Sequence, residues 1–174
     1  AALREEGPPS DRADRWDRSQ YWVSRAEAAA SAGDVDEELG SLDRVRRFAY
    51  GVGMHLRFAE AAVRADDRLR TAYKAATEAI AFYRDPAEYP LPEGEQRWNE
   101  QLADALSVRS AVASARGWTG PAMDDLEEAL AAALRTCLTG FRPLAPVADH
   151  WMRQAKVIAQ RRARMLLAVY PAPL

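Results

Sequence analysis

Residues 42–63 read LDRVRRFAYGVGMHLRFAEAAV. Within them Leu42, Val45, Ala49, Val52, Leu56, Ala59 and Val63 recur at alternating spacings of three and four, the period of an α-helix packed along one seam against a neighbour. Just upstream, Asp34 and Glu37 have the spacing of a capping box, and the acidic first turn of Asp34, Asp36, Glu37 and Glu38 suits the positive end of a helix dipole. An unbroken helix from Val35 to Arg64 would span roughly 45 Å at about 1.5 Å per residue. Gly51 and Gly53 oppose it, since each costs about 1 kcal/mol relative to alanine inside a helix. They mark either a break or a place where another backbone comes close.

Outward from this seam the prolines set the boundaries. They fall at 8, 9, 86, 90, 92, 121, 143, 146, 171 and 173, and the long proline-free stretches between them read as helices. Residues 1–9 read as a flexible leader. Ser10 is placed to cap a first helix ending at Gly33, with an apolar face through Trp16, Val23, Ala26 and Ala30. At Ala65-Asp66-Asp67 the seam slips, and Leu69, Tyr73, Ala76, Ile80 and Tyr83 form a new stripe up to Asp85-Pro86. Residues 86–95 read as a Pro-rich linker between an N-terminal helical half, 10–85, and a C-terminal half, 96–174. In the second half Trp98, Leu102, Ala105 and Val112 form one inward stripe before Gly117. Pro121 sits at the tolerated start of the next helix, whose stripe is Met123, Leu126, Leu130, Ala133 and Cys137. A last helix runs from about Val147 to Tyr170. The expected fold is all-α, about six helices in antiparallel hairpins forming an elongated bundle within one domain.

Composition narrows the function classes. A chain of 174 residues can bury a core without staples, and its formal charge of −2 predicts no overall attraction to nucleic acid or anionic membrane. Lys74 and Lys156 are the only lysines among 24 basic residues, and alanine is abundant, usage that suggests a GC-rich bacterial origin. The single Cys137 leaves no intramolecular disulfide to form and reads as a small core residue. No run of about 18 apolar residues is present, so a cytoplasmic location is the default expectation.

Chemistry-bearing groups are sparse. His55 and His150 each lack a second metal ligand one turn away, and both read as surface or interface residues. Asp124, Asp125 and Glu128 have the DDxxE spacing that shares a helix face and can hold magnesium, but acids in a first turn also simply stabilise the dipole. There is no phosphate loop, nucleophile elbow or Cys/His pair, so no cofactor is expected and an enzyme is the less favoured class. The last helix carries Arg153, Lys156, Arg161, Arg162 and Arg164 with no acid after His150. Arg153, Lys156, Arg161 and Arg164 are therefore candidate contacts for phosphate or an acidic partner. Trp16, Tyr21 and Trp22 are candidates for an aromatic ligand pocket, against the plainer reading that they fill the core.

Two local resemblances stand beside these readings. Gly33-Asp34-Val35-Asp36-Glu37-Glu38-Leu39 resembles the inter-helix turn of a tetratricopeptide repeat, and Tyr83-Arg84-Asp85-Pro86 resembles such a repeat's end, although the regular period is not kept. That likeness implies a concave peptide-binding surface. Trp118-Thr119-Gly120 is similar to the turn of the WXG family of helical hairpins exported by type VII secretion systems, a likeness covering about residues 96 to 139 and lacking the family's tail motif. The leading expectation is a non-enzymatic interaction or scaffold domain, its partner another protein or a second copy bound through apolar helical faces. A ligand-sensing bundle, a WXG-like secreted protein and nucleic-acid contact through the last helix are the alternatives.

Overall fold

A computed structural model describes residues 14–48, 51–85, 95–138 and 145–169. Among them there are seven helices and no strand: α1 Arg15–Ala32, α2 Val35–Phe48, α3 Val52–Ala65, α4 Leu69–Arg84, α5 Glu95–Ala115, α6 Thr119–Leu138 and α7 Ala145–Val169. The protein is all-α, with consecutive helices packed as antiparallel neighbours. The leader, Ser10 and nearly all of the Pro-rich linker lie outside the described residues, as do the side chains of Trp98, Cys137 and Trp151.

The long seam is not one helix. It divides into α2 and α3, and Gly51, in extended backbone at φ −82° and ψ 111°, stands as the N-cap of α3. Nothing approaches the Cβ positions of Gly51 or Gly53, so these glycines mark a break and not a close helix crossing. The seam survives the break because α2 and α3 pack against each other. Leu42, Val45 and Ala59 are fully buried, while Val52, Leu56 and Val63 lean on the core from its edge.

Three hairpins close with the same device. Gly33, Asp66 and Gly117 each adopt positive φ (72°, 51° and 75°), and the next residue's N–H reaches back five positions to the preceding helix: Asp34 to Ala29, Asp67 to Ala62, Trp118 to Ala113. This is the Schellman closure, which satisfies carbonyls that a helix end leaves open. Asp34 then caps α2 by accepting the Glu37 N–H at 3.1 Å. The Glu37 carboxylate turns to Arg25 of α1 and accepts the Ser41 hydroxyl, and the hydrogen bond from Arg25 holds its pKa below the usual range.

Alanine sets the helix spacing. Ala72, Ala75, Ala76 and Ala79 on α4, and Ala129, Ala132 and Ala133 on α6, are buried where larger residues would hold the helices apart. Phe58, Leu39, Leu42, Ile80, Leu106 and Leu126 fill the space that remains. Both core clusters join the two halves suggested by the linker: Ala79, Ile80 and Tyr83 pack with Leu102 and Leu106, and Val108 and Val112 pack with α2 to α4. In α1 the buried positions are Ser19, Trp22, Ala26 and Ala29, while Trp16 is 68% exposed and Ala30 faces solvent. The expected face was therefore turned about the helix axis. An alanine-rich helix offers more than one apolar stripe, and here the neighbouring α2 covers the one that carries Trp22 among Ser19, Ala26 and Ala29.

Candidate functional site

The candidate functional region is α7, whose sides face two different surroundings. It packs along α6, burying Ala155 and Ile158, with Met165 against the core. Toward α5 it is tied by polar side chains: His150 Nε2 lies 2.9 Å from Glu100 Oε1, and the Gln154 amide donates to Asp104 Oδ1 at 2.5 Å. Between these ties and α3 lies an open trough of about 540 Å³, with Leu56, Arg57 and Glu60 from α3, Asp104, Ser107 and Val108 from α5, and His150, Arg153, Gln154, Val157, Ile158 and Arg161 from α7.

Beside the trough two polar atoms are shut away from solvent. Ser107 is only 9% exposed, and its hydroxyl oxygen has no hydrogen-bond partner in the protein; neither has Gln154 Oε1. Burying such groups unpaired is costly, and native structures keep few of them. Glu60 and Asp104 remain exposed to solvent, but the helices packed around them remove part of their hydration, which pushes both carboxyl pKa values up. For Glu60 the charges of Asp104 and Glu38 add to the rise, and Arg64 and Arg57 oppose it. For Asp104 the Gln154 hydrogen bond and His150 oppose it, and Glu100 adds to it.

The more buried acids are ion-paired. Glu38 is bound at both carboxylate oxygens by Arg64 (2.7 and 2.6 Å), and Asp43 gathers Arg46, Arg47 and Arg68. Arg109 grips Asp125 through Nε and Nη2 at 2.9 and 2.6 Å, and Arg84 grips Glu128 at 2.5 and 2.6 Å. Asp125 and Glu128 thus serve two different helices while Asp124 faces solvent, so the DDxxE spacing does not converge on a metal. Among the described residues no group of three or more His, Cys, Asp or Glu side chains is arranged to hold one.

The other side of α7 meets α6 in a shallow apolar furrow of about 570 Å³, lined by Leu130, Leu134, Met152, Ala155 and Ala159 with Asp149, Arg153 and Lys156 at its rims. Met152 is 59% exposed and Leu134 43%, and further along α7 Leu167 is 64% exposed. Met152, Ala159, Ala163 and Leu167 share one face of α7 by helical spacing, with Lys156 between the first two, so exposed apolar side chains recur over roughly 22 Å at about 1.5 Å per residue. No helix among the described residues is long and apolar enough to cross a membrane.

The four cations predicted as a contact patch are all exposed, yet the fold distributes them. Arg153 borders both the trough and the furrow, Arg161 lines the trough, Lys156 the furrow, and Arg164 a smaller cavity with Ser110, Leu126 and Met165. Arg162, between them, pairs with Glu127 at 3.5 Å. Of the aromatic trio, Trp22 is buried beneath Arg44, whose guanidinium lies 4.1 Å from the ring centre, and Tyr21 meets it edge-on. Trp16 stands on an exposed part of the helix, so the three do not share one wall. Trp118, from the W-T-G turn, is stacked under Arg116 at 3.7 Å and meets Tyr73 edge-on, beside a cleft also lined by Arg46, Arg70 and Lys74.

Sequence reasoning missed Glu60, Asp104, Ser107 and Gln154, which become neighbours only when α3, α5 and α7 assemble. One signal was present: Asp104 and Ser107 stand three residues apart on α5, polar intrusions among Leu102, Ala103, Ala105 and Leu106. Comparison with known proteins returns no matching family model, no similar curated protein and no similar solved structure, so what this region does is argued from its own geometry.

Proposed function

We propose that this chain is a non-enzymatic interaction domain whose α6–α7 furrow docks an acidic amphipathic helix of a partner protein. One observation carries the reading: exposed apolar side chains on the α6–α7 surface, Leu134, Met152 and, further along, Leu167, with Arg153 and Lys156 beside them, which have no carboxylate partner among the described residues. Exposed apolar patches of this kind mark interaction sites, and a furrow between two helices accepts a third through residues at i, i+3, i+4 and i+7. Flanking cations favour a partner whose polar face is acidic. Self-association through the seam at residues 42–63 loses its motive, because its described residues Leu42, Val45, Val52, Leu56, Ala59 and Val63 pack within the chain.

The test uses a labelled helical peptide of leucine and glutamate, followed by fluorescence anisotropy. Binding that weakens with salt, and that falls about tenfold or more in Met152→Asp and in Lys156→Glu, is expected. Tighter binding of a leucine and lysine counterpart would overturn the reading. So would a dimer in sedimentation that Met152→Asp dissolves, since the occupant would then be a second copy.

A further inference from the structure

The cleft beside Trp118 lies away from α7 and shares no residue with the furrow or the trough. It is an open concavity of about 720 Å³ between α2, α4 and the α5–α6 turn. Four cations meet there, Arg46 from α2, Arg70 and Lys74 from α4 and Arg116 from the turn, against one carboxylate, Glu78. A chain of net charge −2 thus gathers positive charge in one place. Arg46 is held by Asp43, and Lys74 lies 3.8 Å from Glu78, but Arg70 and Arg116 have no carboxylate partner among the described residues. Arg70 and Lys74 stand four residues apart on one helix, a spacing at which like charges repel and weaken the helix.

Cations alone would make a solvated surface; the rings set among them give this one its chemistry. Trp118 is 39% exposed, with the Arg116 guanidinium 3.7 Å from its ring centre and Tyr73 edge-on at 5.2 Å. Stacked on the indole, the half-buried guanidinium is held by the ring and not by an acid, so a fixed cation and a flat aromatic surface stand side by side. An anion without a ring would leave that surface uncovered, and a neutral ring would leave the cations unpaired. We propose that this cleft binds a nucleotide, its base stacked on the Arg116–Trp118 pair and its phosphate taken by Arg70 and Lys74. Bases stack on tryptophan and on guanidinium planes whatever their sequence, and arginine meets phosphate through paired N–H groups. The volume is within the range of small-molecule sites and admits one such unit, either free or as part of a single strand.

The experiment is titration calorimetry on the whole chain with adenosine monophosphate, adenosine, which lacks the phosphate, and ribose 5-phosphate, which lacks the base. The monophosphate is expected to bind, more weakly as salt rises, with the other two each weaker by about tenfold or more. Trp118→Ala and Arg70→Glu are each expected to weaken it about tenfold. Arg135→Glu, the same change of charge in the last turn of α6, far from the cleft, leaves it unchanged. Circular dichroism melts of each variant separate lost binding from lost folding. A labelled short deoxyadenylate strand, followed by anisotropy, distinguishes the sources: binding tighter than the monophosphate assigns the cleft to single strands, and binding no tighter assigns it to free nucleotides. The proposal is overturned if neither the monophosphate nor the strand binds, or if ribose 5-phosphate binds as tightly as the monophosphate. It is equally overturned if Arg135→Glu weakens binding as much as Arg70→Glu, since the charge of the whole chain and not the cleft would then be responsible.

Discussion

Helix α5 presents two sides that differ in one respect. Toward α6 its polar groups are matched: Arg109 holds Asp125 through two hydrogen bonds, and the buried Ser110 hydroxyl donates to the Ala122 carbonyl at 2.7 Å. Toward α3 and α7, only a turn or so away, Ser107 is buried without a partner and Asp104 loses hydration without a cation of its own. The same helix, in the same alanine-rich core, can therefore satisfy buried polar groups where the fold requires it. The α5–α6 side is organised for stability, and the trough side leaves hydrogen-bonding capacity unused.

The largest effect that can break this comparison lies on the matched side. Asp125 and Arg109 are nearly buried, so Asp125→Ala leaves a guanidinium uncompensated between two helices and is expected to cost about 3–5 kcal/mol. For a chain of this length that is about 2–4 °C in Tm per kcal/mol, read by thermal and urea unfolding. Arg84→Ala removes a pair to the same helix α6 in which one nitrogen, Nη2, serves both Glu128 oxygens and both partners are about half-exposed, and it should cost no more than about 1 kcal/mol. Equal losses from the two substitutions would mean that burial is not what gives the α5–α6 pair its weight.

A second pair of substitutions sharpens the contrast at smaller scale. Ser110→Ala deletes a made hydrogen bond in a buried position and should cost about 1 kcal/mol. Ser107→Ala removes a hydroxyl that has no partner, so its expected cost is near zero or slightly negative. Urea midpoints compared at constant m-value decide between them. A loss at Ser107 matching that at Ser110 would show that the Ser107 hydroxyl makes a structural bond after all.

The all-α architecture was legible because helix periodicity and proline punctuation are local properties of the chain. The α3–α4 turn was legible as a slip in the stripe at Asp66. Whether Gly51 and Gly53 interrupted the seam was not, because a glycine that breaks a helix and one that lets another backbone approach look identical in sequence. The buried face of α1 was misplaced for a related reason. With alanines on several faces, which stripe is covered depends on where α2 lies, and Trp22 rather than Trp16 is the ring that becomes buried. On α7 the cations were visible as residues, but their division between trough and furrow depends on the positions of α3, α5 and α6. Glu60, Asp104, Ser107 and Gln154 come from three helices, and no spacing rule relates residues whose nearness is created by packing.

The smallest predicted effect is also the one that most directly separates the two sides of α5. Asp104 and Glu60 have folded-state pKa values raised above their unfolded ones, chiefly by lost hydration. Between the ordinary carboxylate pKa and the raised value, the folded chain binds more protons than the unfolded chain, so stability falls as pH rises through that window. Glu37, lowered by Arg25, acts in the opposite sense: its contribution is present above the unfolded glutamate pKa and is lost as pH falls through the folded value. The groups that face Asp104 or share the trough with it, Glu100 on α5, His150, Arg153, Gln154 and Arg161 on α7, and Arg57 and Glu60 on α3, remain in place in Asp104→Asn. That variant also keeps an acceptor for Gln154 while removing the charge. It should therefore be more stable than the parent at neutral pH, by less than about 1 kcal/mol at so open a position, and the difference should vanish on acidification as the parent's own carboxyl becomes neutral. Unfolding curves at several pH values measure this. A variant no more stable than the parent at neutral pH would show that lost hydration is not what raises the Asp104 carboxyl.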